Sequence, residues 1–294
     1  MRSPILWFGG KGNMVAKLLP LIPPHRTYVE PYGGGASLLF AKNPSPVEVH
    51  NDLHQGVVDF FRVLREPELF TRFYHLAALT PYSRQEWNYC KSTWRDVDDP
   101  VERAYRWFVM QRQGFSGCGG RSWGYVVGRS RRGLPGTVSN WLSTLSNLPE
   151  CAERMMRVQI ECIDGLDCIA KYDTKQTFFY IDPPYPQATR SGGSYDHEMN
   201  DDDHYRLIDK LLCIEGLALV STYPNPIYER LRESGWNVRE WAVTCHAAGR
   251  TRGTGMQGAG SATKMQPRTE VVYYNYQPDN APRDGGLFGD QEDA

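Results

Sequence analysis

An N-terminal unit of strand, glycine turn, helix and strand is the feature that most constrains the fold of this chain. The segment Thr27–Glu30 (TYVE) is typical of a buried strand that ends in an acid, and the turn Pro31–Ser37 (PYGGGAS) leads from it into the helical LLFAK. A second short strand, Val47–His50, is followed at once by Asn51 and Asp52. A β-α-β start of this kind implies a parallel sheet with helices on its faces. The sequence therefore predicts an α/β fold.

The alternation of strands and helices continues along the chain and is interrupted once. Further strands are predicted at Val158–Ile163, Thr177–Ile181, Leu217–Ser221, 237–243 and 270–276, and further helices at 13–22 and after Asp201. Residues 53–113 have apolar residues at helical spacing, with helix starts at Ser83 and Asp99. Residues 114–136 contain eight glycines and four arginines, which favours a loop or a long hairpin.

These patterns divide the chain into an α/β domain, an insert and a tail. We predict the domain over residues 1–52 and 158–276, a helical insert over 53–157, and a disordered acidic tail over 277–294. No apolar run is long enough to span a membrane and no secretory signal is present, so we expect a cytoplasmic protein. The seven cysteines include no C-x-x-C pair, which fits neither a disulfide framework nor a zinc ribbon.

Charge is segregated along the chain although the formal net charge is only −1. Seven arginines and no acid lie between Glu102 and Glu150, and a second acid-free basic run lies between Glu240 and Glu270. Arginine outnumbers lysine 25 to 8, and its planar side chain can bind phosphates and guanine edges with two hydrogen bonds. Two glycine-rich basic segments indicate a nucleic-acid surface more than a solvated face.

The glycine turn predicts a site for an adenosine-containing cofactor. Its glycines allow close backbone approach, and Asp52 follows at the distance at which an acid reaches ribose hydroxyls. The dinucleotide fingerprint is absent because Leu38 occupies the place of its third glycine. The early FGGKGN is not a P-loop either, since Gly12 follows Lys11 where Ser or Thr would be required.

The stretch YIDPPY, residues 180–185, places polar acceptors at the end of a buried strand. An exocyclic amine of a nucleobase is a poor nucleophile because its lone pair is delocalised into the ring. The Asp182 carboxylate and the rigid carbonyls of Pro183 and Pro184 could accept its hydrogens and localise that lone pair for attack on an electrophilic methyl. Tyr185 could stack on the base. The alternative to a catalytic role is that this stretch is a turn that only ends the strand.

The ordered combination of WFGGKGN, VEPYGGGASLLF, VHND and YIDPPY resembles the DNA adenine-N6 methyltransferases of the Dam type. The resemblance extends to about residue 276 and implies a Rossmann-like class I methyltransferase sheet, an inserted target-recognition domain over 53–157, and S-adenosylmethionine as methyl donor without a metal. It implies Asp182, Pro183, Pro184 and Tyr185 as the catalytic set. The implied cofactor-binding residues are Trp7, Lys11, Glu30, Tyr32, Gly33, Gly34, Gly35, Asp52, Asp164 and Asp182.

The resemblance also implies a DNA-binding face, in part through RQGFSG, which is similar to the family's Arg-x-Gly-Phe-Asn-Gly. The candidate DNA-binding residues are Arg112, Phe115, Ser116, Arg121, Arg129, Arg131, Arg132, Tyr195, Arg250, Arg252 and Lys264. Ser116 replaces the usual Asn and Met199 a frequent Phe, so the recognised DNA sequence does not follow. The expected partner is duplex DNA, with a cognate restriction endonuclease as a further candidate partner, no membrane, and a monomer as the favoured state.

Two other classes of function stay open from the sequence. An RNA adenine methyltransferase can share both the D-P-P-Y stretch and the cofactor fold, although the large insert and the two basic segments favour duplex DNA. A catalytically silent DNA-binding protein could retain the same fold, although both the acceptor stretch and the glycine turn are intact.

Overall fold

A computed structural model describes residues 1–117, 120–186, 197–244 and 267–278, and among these no helix is both long and apolar enough to cross a membrane. Its strands are β1 (Thr27–Glu30), β2 (Val47–Asn51), β3 (Ser130–Arg131), β4 (Leu134–Pro135), β5 (Gln159–Glu161), β6 (Thr177–Ile181), β7 (Leu217–Thr222), β8 (Asn237–Thr244) and β9 (Pro267–Tyr274). The helices are α1 (Val15–Leu18), α2 (Ser37–Ala41), α3 (Gln55–Arg65), α4 (Pro67–Leu79), α5 (Arg84–Thr93), α6 (Pro100–Gln113), α7 (Gly136–Met155), α8 (Gly165–Tyr172), α9 (Asp201–Leu211) and α10 (Pro226–Glu233).

Seven strands form one mostly parallel sheet in the order β5-β2-β1-β6-β7-β9-β8. β1 pairs in parallel with β2 and with β6, so Thr27 lies between Val47 and Thr177. β9 runs antiparallel to both of its neighbours. The strand order reverses between β1 and β6, and ligands of open α/β sheets bind at such a switch point, beyond the carboxyl ends of the strands. The predicted α/β class and Rossmann-like sheet are confirmed.

The two faces of the central strands pack into two different hydrophobic clusters. Tyr28 and Phe178 point into the cluster that also contains the apolar residues of α3 to α7, whereas Val29 and Phe179 point to the side of α8, α9 and α10. Strands that are buried on both faces have continuous apolar sequences and not an alternating pattern, which explains why β6 is almost entirely apolar. The helices of residues 53–157 therefore share a core with one face of the sheet.

The helix starts that were predicted from capping residues are confirmed, and so is the loop alternative for residues 114–136, but the helix at 13–22 differs from prediction. Ser83 and Asp99 accept hydrogen bonds from backbone N–H groups in the first turns of α5 and α6. The single helix predicted over 13–22 was wrong in extent, because the four-residue α1 is flanked by 3-10 turns and Pro20 lacks the N–H that an α-helix would need. The described part of residues 114–136, predicted as a loop or a long hairpin, is mainly loop and contains a 3-10 turn and the two-residue strands β3 and β4.

A buried ionic cluster ties the insert to the sheet. Glu48 of β2 accepts a hydrogen bond of 2.7 Å from Arg154 Nη2 of α7 and is also paired with Lys42, and none of the three side chains is more than 5% exposed. The Arg154 guanidinium also donates to the Leu39 carbonyl at 3.1 Å. Because a carboxylate in this position neutralises two buried cations, its removal leaves both without a counter-charge.

We predict that Glu48→Gln lowers the free energy of unfolding by about 3–5 kcal/mol, the usual cost of breaking a buried ion pair. The control is Glu240→Gln, which breaks an ion pair with Arg232 whose side chains are 48% and 53% exposed and should cost about 0–1 kcal/mol. Chemical denaturation followed by circular dichroism measures both. Equal losses in the two variants would contradict a stabilising role for the cluster.

Candidate functional site

The carboxyl ends of β1, β2 and β6 bring three sequence-predicted acids to one edge of the sheet. Asp52 and Asp182 line a cavity of about 230 Å³, and Glu30 lines a smaller cavity of about 30 Å³ beside it. The residues that border both cavities are Trp7, Phe8, Tyr32, Gly34 and Asp182. Asp164 also lines the larger cavity. The residues predicted to hold the cofactor are therefore grouped around one continuous space.

The glycines of the turn after β1 are required by the side chains packed against them. A Cβ at Gly33 would overlap the His50 ring, and one at Gly34, whose φ is +46°, would overlap the Trp7 indole. A Cβ at Gly35 would lie 2.9 Å from Trp7 Cβ. Only glycine allows the backbone to approach these rings, so the turn exposes its own peptide groups to the cavity.

Asp52 anchors this turn as well as lining the cavity. Its Oδ2 accepts a hydrogen bond of 2.7 Å from the Gly34 N–H, and its Oδ1 accepts one of 2.8 Å from the His54 N–H. A carboxylate has about four acceptor positions, so lone pairs remain for donors from a ligand. Asp164 has a similar arrangement, because it caps α8 by accepting from Leu166 N–H at 2.8 Å.

Glu30 borders the smaller cavity but is almost completely buried. Its Oε1 accepts from the Tyr28 hydroxyl at 2.6 Å and from the Leu39 N–H at 3.0 Å, and only 1% of the residue is exposed. Burial raises the pKa of Glu30 to about 7, although both hydrogen bonds act in the opposite direction. Glu30 thus joins the end of β1 to the first turn of α2.

Lys11 and Asp182 form a buried ion pair at the junction of the two cavities. Lys11 Nζ lies 2.7 Å and 2.9 Å from the two Asp182 oxygens and donates to the Gly9 carbonyl at 3.1 Å. Only 7% of Lys11 and 17% of the Asp182 side chain are exposed. Burial raises the pKa of Asp182 to about 6, and the positive charge of Lys11 limits this rise. Above about pH 6, the Asp182 side chain that follows β6 is therefore a carboxylate that is largely removed from water.

The three residues after Asp182 have different environments. Pro183 is buried and Pro184 borders the larger cavity, whereas Tyr185 is only 5% exposed. The Tyr185 ring lies edge-on to Tyr223 with 4.6 Å between the ring centroids, and Lys11 Nζ lies 4.5 Å from its centroid. Stacking of Tyr185 on a base stays a prediction.

Glu270 and Ser221 belong to this site but were not assigned a role from the sequence. The hydroxyl groups of Tyr185 and Ser221 both donate to Glu270 Oε1, the latter at 2.9 Å. Lys11 Nζ is 3.6 Å from the same oxygen. The available signal was an acid within the otherwise apolar strand segment EVVYY, since buried acids in strands need donors.

The candidate DNA-binding residues separate into an exposed group and a partly buried group. Arg121, Arg129, Arg131 and Arg132 are exposed, and the last three belong to or flank the β3-β4 hairpin. Arg112 is instead partly buried in α6, where it donates to the Thr144 hydroxyl and where burial lowers the pKa of its guanidinium to about 10. Phe115 and Ser116 lie on the 3-10 turn Phe115–Gly117 beside the larger cavity.

Part of the predicted DNA-binding face lies outside the described residues. These positions are Tyr195, Arg250, Arg252 and Lys264, and the predicted disordered tail lies outside them from residue 279 onward.

The comparisons identify one family for this arrangement. The model of the D12 class N6 adenine-specific DNA methyltransferase family matches residues 7–214, from the tryptophan beside the glycine turn to a point beyond the D-P-P-Y stretch. A search of curated protein sequences produced no match.

We predict that Glu30 makes stability fall as the pH approaches neutrality. The folded-state pKa of about 7 lies above the ordinary 4.5, so the folded protein holds this proton more tightly than the unfolded chain does. The resulting stabilisation is complete below about pH 4.5 and is lost as the pH rises through 7. In urea denaturation, the stability difference between parent and Glu30→Gln should therefore change by about 3 kcal/mol between pH 4.5 and 7.5. Parallel pH profiles would contradict this.

Proposed function

Since the chain belongs to the D12 class N6 adenine-specific DNA methyltransferase family, we propose that it transfers a methyl group from S-adenosylmethionine to N6 of an adenine extruded from duplex DNA at a specific site. The observation that carries this proposal is the desolvated Asp182 carboxylate at the junction of two cavities, directly followed by two prolines. The cytoplasmic location and the candidate partner endonuclease remain expectations from the sequence.

The shape and the donor set of the site support an adenosine-containing methyl donor. The glycine turn carries no side chains at Gly33, Gly34 and Gly35, so a ligand can approach its backbone closely, and Asp52 retains free acceptor positions beside it. We assign the methionine part to the smaller cavity with Glu30 and Lys11, the ribose to Asp52, and the adenine to the region of Asp164. When bound, S-adenosylmethionine would supply an electrophilic methyl group.

The residues of this chain prepare the adenine amine for attack. The Asp182 carboxylate and the Pro183 and Pro184 carbonyls would accept its two hydrogens, which favours a tetrahedral nitrogen with a localised lone pair. Because prolines have a fixed φ and no N–H, these acceptors are rigid and are not lost to competing backbone hydrogen bonds. After transfer, the nitrogen has one proton in excess, which an Asp182 oxygen would accept.

Residues 53–157 would recognise the DNA. The exposed arginines around β3 and β4 supply the positive charge that phosphates attract, and the 3-10 turn at Phe115–Gly117 connects this segment to the larger cavity. An adenine must leave the duplex before its N6 can reach Asp182, so a protein surface that holds the backbone close to the cavity is required.

Methylation of defined nucleic acids tests this function. The purified chain is incubated with isotopically labelled S-adenosylmethionine and duplex DNA, and the digested nucleosides are separated to detect N6-methyl-2′-deoxyadenosine. Structured RNA in competition distinguishes an RNA methyltransferase, and calorimetry with the cofactor distinguishes a silent DNA-binding protein. Long-read mapping of methylated adenines in DNA from cells that express the chain then identifies the recognised sequence.

Asp182→Ala should abolish methyl transfer, because the amine loses its charged acceptor. Non-specific DNA affinity should stay largely unchanged, since phosphate contacts carry it. Labelled methyl incorporation and fluorescence anisotropy with duplex DNA measure the two properties. Equal activity of this variant and the parent would count decisively against the mechanism.

Joint replacement of Arg129, Arg131 and Arg132 by Gln should weaken DNA binding and flatten its salt dependence, because fewer counterions are released when fewer phosphates are neutralised. The slope of log K against log salt should fall by about 0.9 for each phosphate that is no longer neutralised. Cofactor affinity should change little. The control replaces the half-buried Arg230 and the exposed Arg232, which are paired with acids on α9, α10 and β8. An unchanged slope in the triple variant would remove the hairpin arginines from the interface.

A further inference from the structure

We propose that Glu270 is a positioning residue for methyl transfer, which acts by anchoring Tyr185 and by sharing Lys11 with Asp182. This inference rests on the proposed function, because it assigns a role in the same reaction. Glu270 comes from β9, the antiparallel strand of the sheet, and lies 88 positions after Asp182 in the sequence. It does not line either cavity, so its effect on the reaction would pass through Tyr185 and Lys11, two of the residues that it contacts.

Three donors converge on one oxygen of this buried carboxylate. The Tyr185 hydroxyl and the Ser221 hydroxyl donate to Glu270 Oε1, and Lys11 Nζ lies 3.6 Å from it. Only 4% of Glu270 is exposed. An acid buried at this depth is stable only with such partners, and the partners are in turn held in place by it.

The contact with Tyr185 fixes the far end of the acceptor stretch. Asp182 is held by Lys11 at one end, and Tyr185 is tied to β9 by its hydroxyl at the other. Between these two points lie only Pro183 and Pro184, whose φ angles are fixed. The positions of the two proline carbonyls therefore depend on both anchors. Loss of Glu270 would weaken the second anchor, leaving the Tyr185 hydroxyl its 3.2 Å hydrogen bond with Ser221 Oγ, without removing any acceptor.

The contact with Lys11 affects the strength of the Asp182 acceptor. One ammonium group lies between two carboxylates, at 2.7 Å from Asp182 and 3.6 Å from Glu270. If Glu270 were neutral, the Lys11 charge would act on Asp182 alone. The Asp182 carboxylate would then be a weaker hydrogen-bond acceptor for the amine hydrogens. The negative charge of Glu270 also opposes ionisation of Asp182 and so contributes to its raised pKa, after burial.

The titratable and charged groups around Asp182 come from each element packed against it. They are Lys11 from the N-terminal segment, Glu30 from β1, Tyr180 from β6, Tyr185 from the acceptor stretch, Tyr228 from α10 and Glu270 from β9. Burial raises the pKa of all three tyrosines well above 10, so they stay neutral near pH 6. Of the two acids in this set, Glu270 is the one whose removal leaves the Glu30 hydrogen bonds with Tyr28 and Leu39 intact.

The test compares Glu270→Gln with the parent by steady-state methylation of duplex DNA across pH 5 to 9. We expect kcat to fall at least about tenfold, the usual effect of removing one hydrogen bond to a charged group, while the Kd for S-adenosylmethionine stays within about twofold. In the pH profile of kcat, the acid limb is the range in which kcat falls as the pH is lowered. This acid limb should move to lower pH, because removal of a neighbouring negative charge lowers the pKa of Asp182. A purely structural role would not move that limb.

Glu229→Gln is the matched control. Glu229 accepts a hydrogen bond of 2.8 Å from the hydroxyl of Tyr273, which belongs to the same strand but packs into the hydrophobic cluster on the opposite face of the sheet. This variant also breaks a tyrosine–carboxylate bond of β9 and should leave both kcat and the acid limb unchanged.

Glu270→Asp tests the same role if the Gln variant does not fold, as judged by circular dichroism. It retains the charge but has a shorter side chain, so kcat should fall while the acid limb stays at the parental pH. Parental kcat in either variant, or an acid limb that Glu270→Gln does not move, would overturn the proposal. If the parent itself fails to methylate DNA, the proposed function is wrong. If the parent methylates DNA and Glu270→Gln has the same kcat and the same acid limb, the proposed function stands and the role of Glu270 is wrong.

Discussion

The buried ion pair between Lys11 and Asp182 is the interaction on which the rest of the site depends. It joins the segment before the first strand to the end of the central strand β6, across 171 positions of sequence. A charge pair removed from water is stable only when its remaining hydrogen-bonding capacity is satisfied. The Gly9 carbonyl accepts a further hydrogen bond from the lysine, and Glu270 adds a second negative charge 3.6 Å from it. The pair therefore determines where the N-terminal segment lies, and with it the position of Trp7 against the glycine turn.

The glycine turn and the cavity are consequences of how tightly that segment packs. Trp7 covers Gly34 and Gly35 on one side while His50 fills the space beside Gly33. With no side chains of its own, the turn presents backbone groups and the Asp52 carboxylate to the cavity. In the proposed reaction, the same close packing that excludes water from Asp182 also makes its carboxylate a stronger acceptor, because the local dielectric is low.

Much of the fold was predictable because the relevant signals are local. The strand, turn and helix pattern of residues 27–51, the apolar run of β6 and the capping residues Ser83 and Asp99 each act over a few positions. The family resemblance, confirmed by the match to residues 7–214, rests on equally short motifs. The extent of the helix at 13–22 was not predictable from apolar spacing alone, since Pro20 and the packing of Lys11 break it into turns.

The sequence by itself determined the fold class, the family, and the presence of a glycine turn and a D-P-P-Y stretch, because these depend on the order of neighbouring residues. Only the tertiary structure decided which charges meet. It placed Glu270 beside Lys11 and Tyr185, and it turned Arg112 towards Thr144 while leaving the hairpin arginines exposed. The physical reason is that partners such as Tyr185 and Glu270, which are 85 positions apart, are brought together by strand order and core packing, which no short motif encodes.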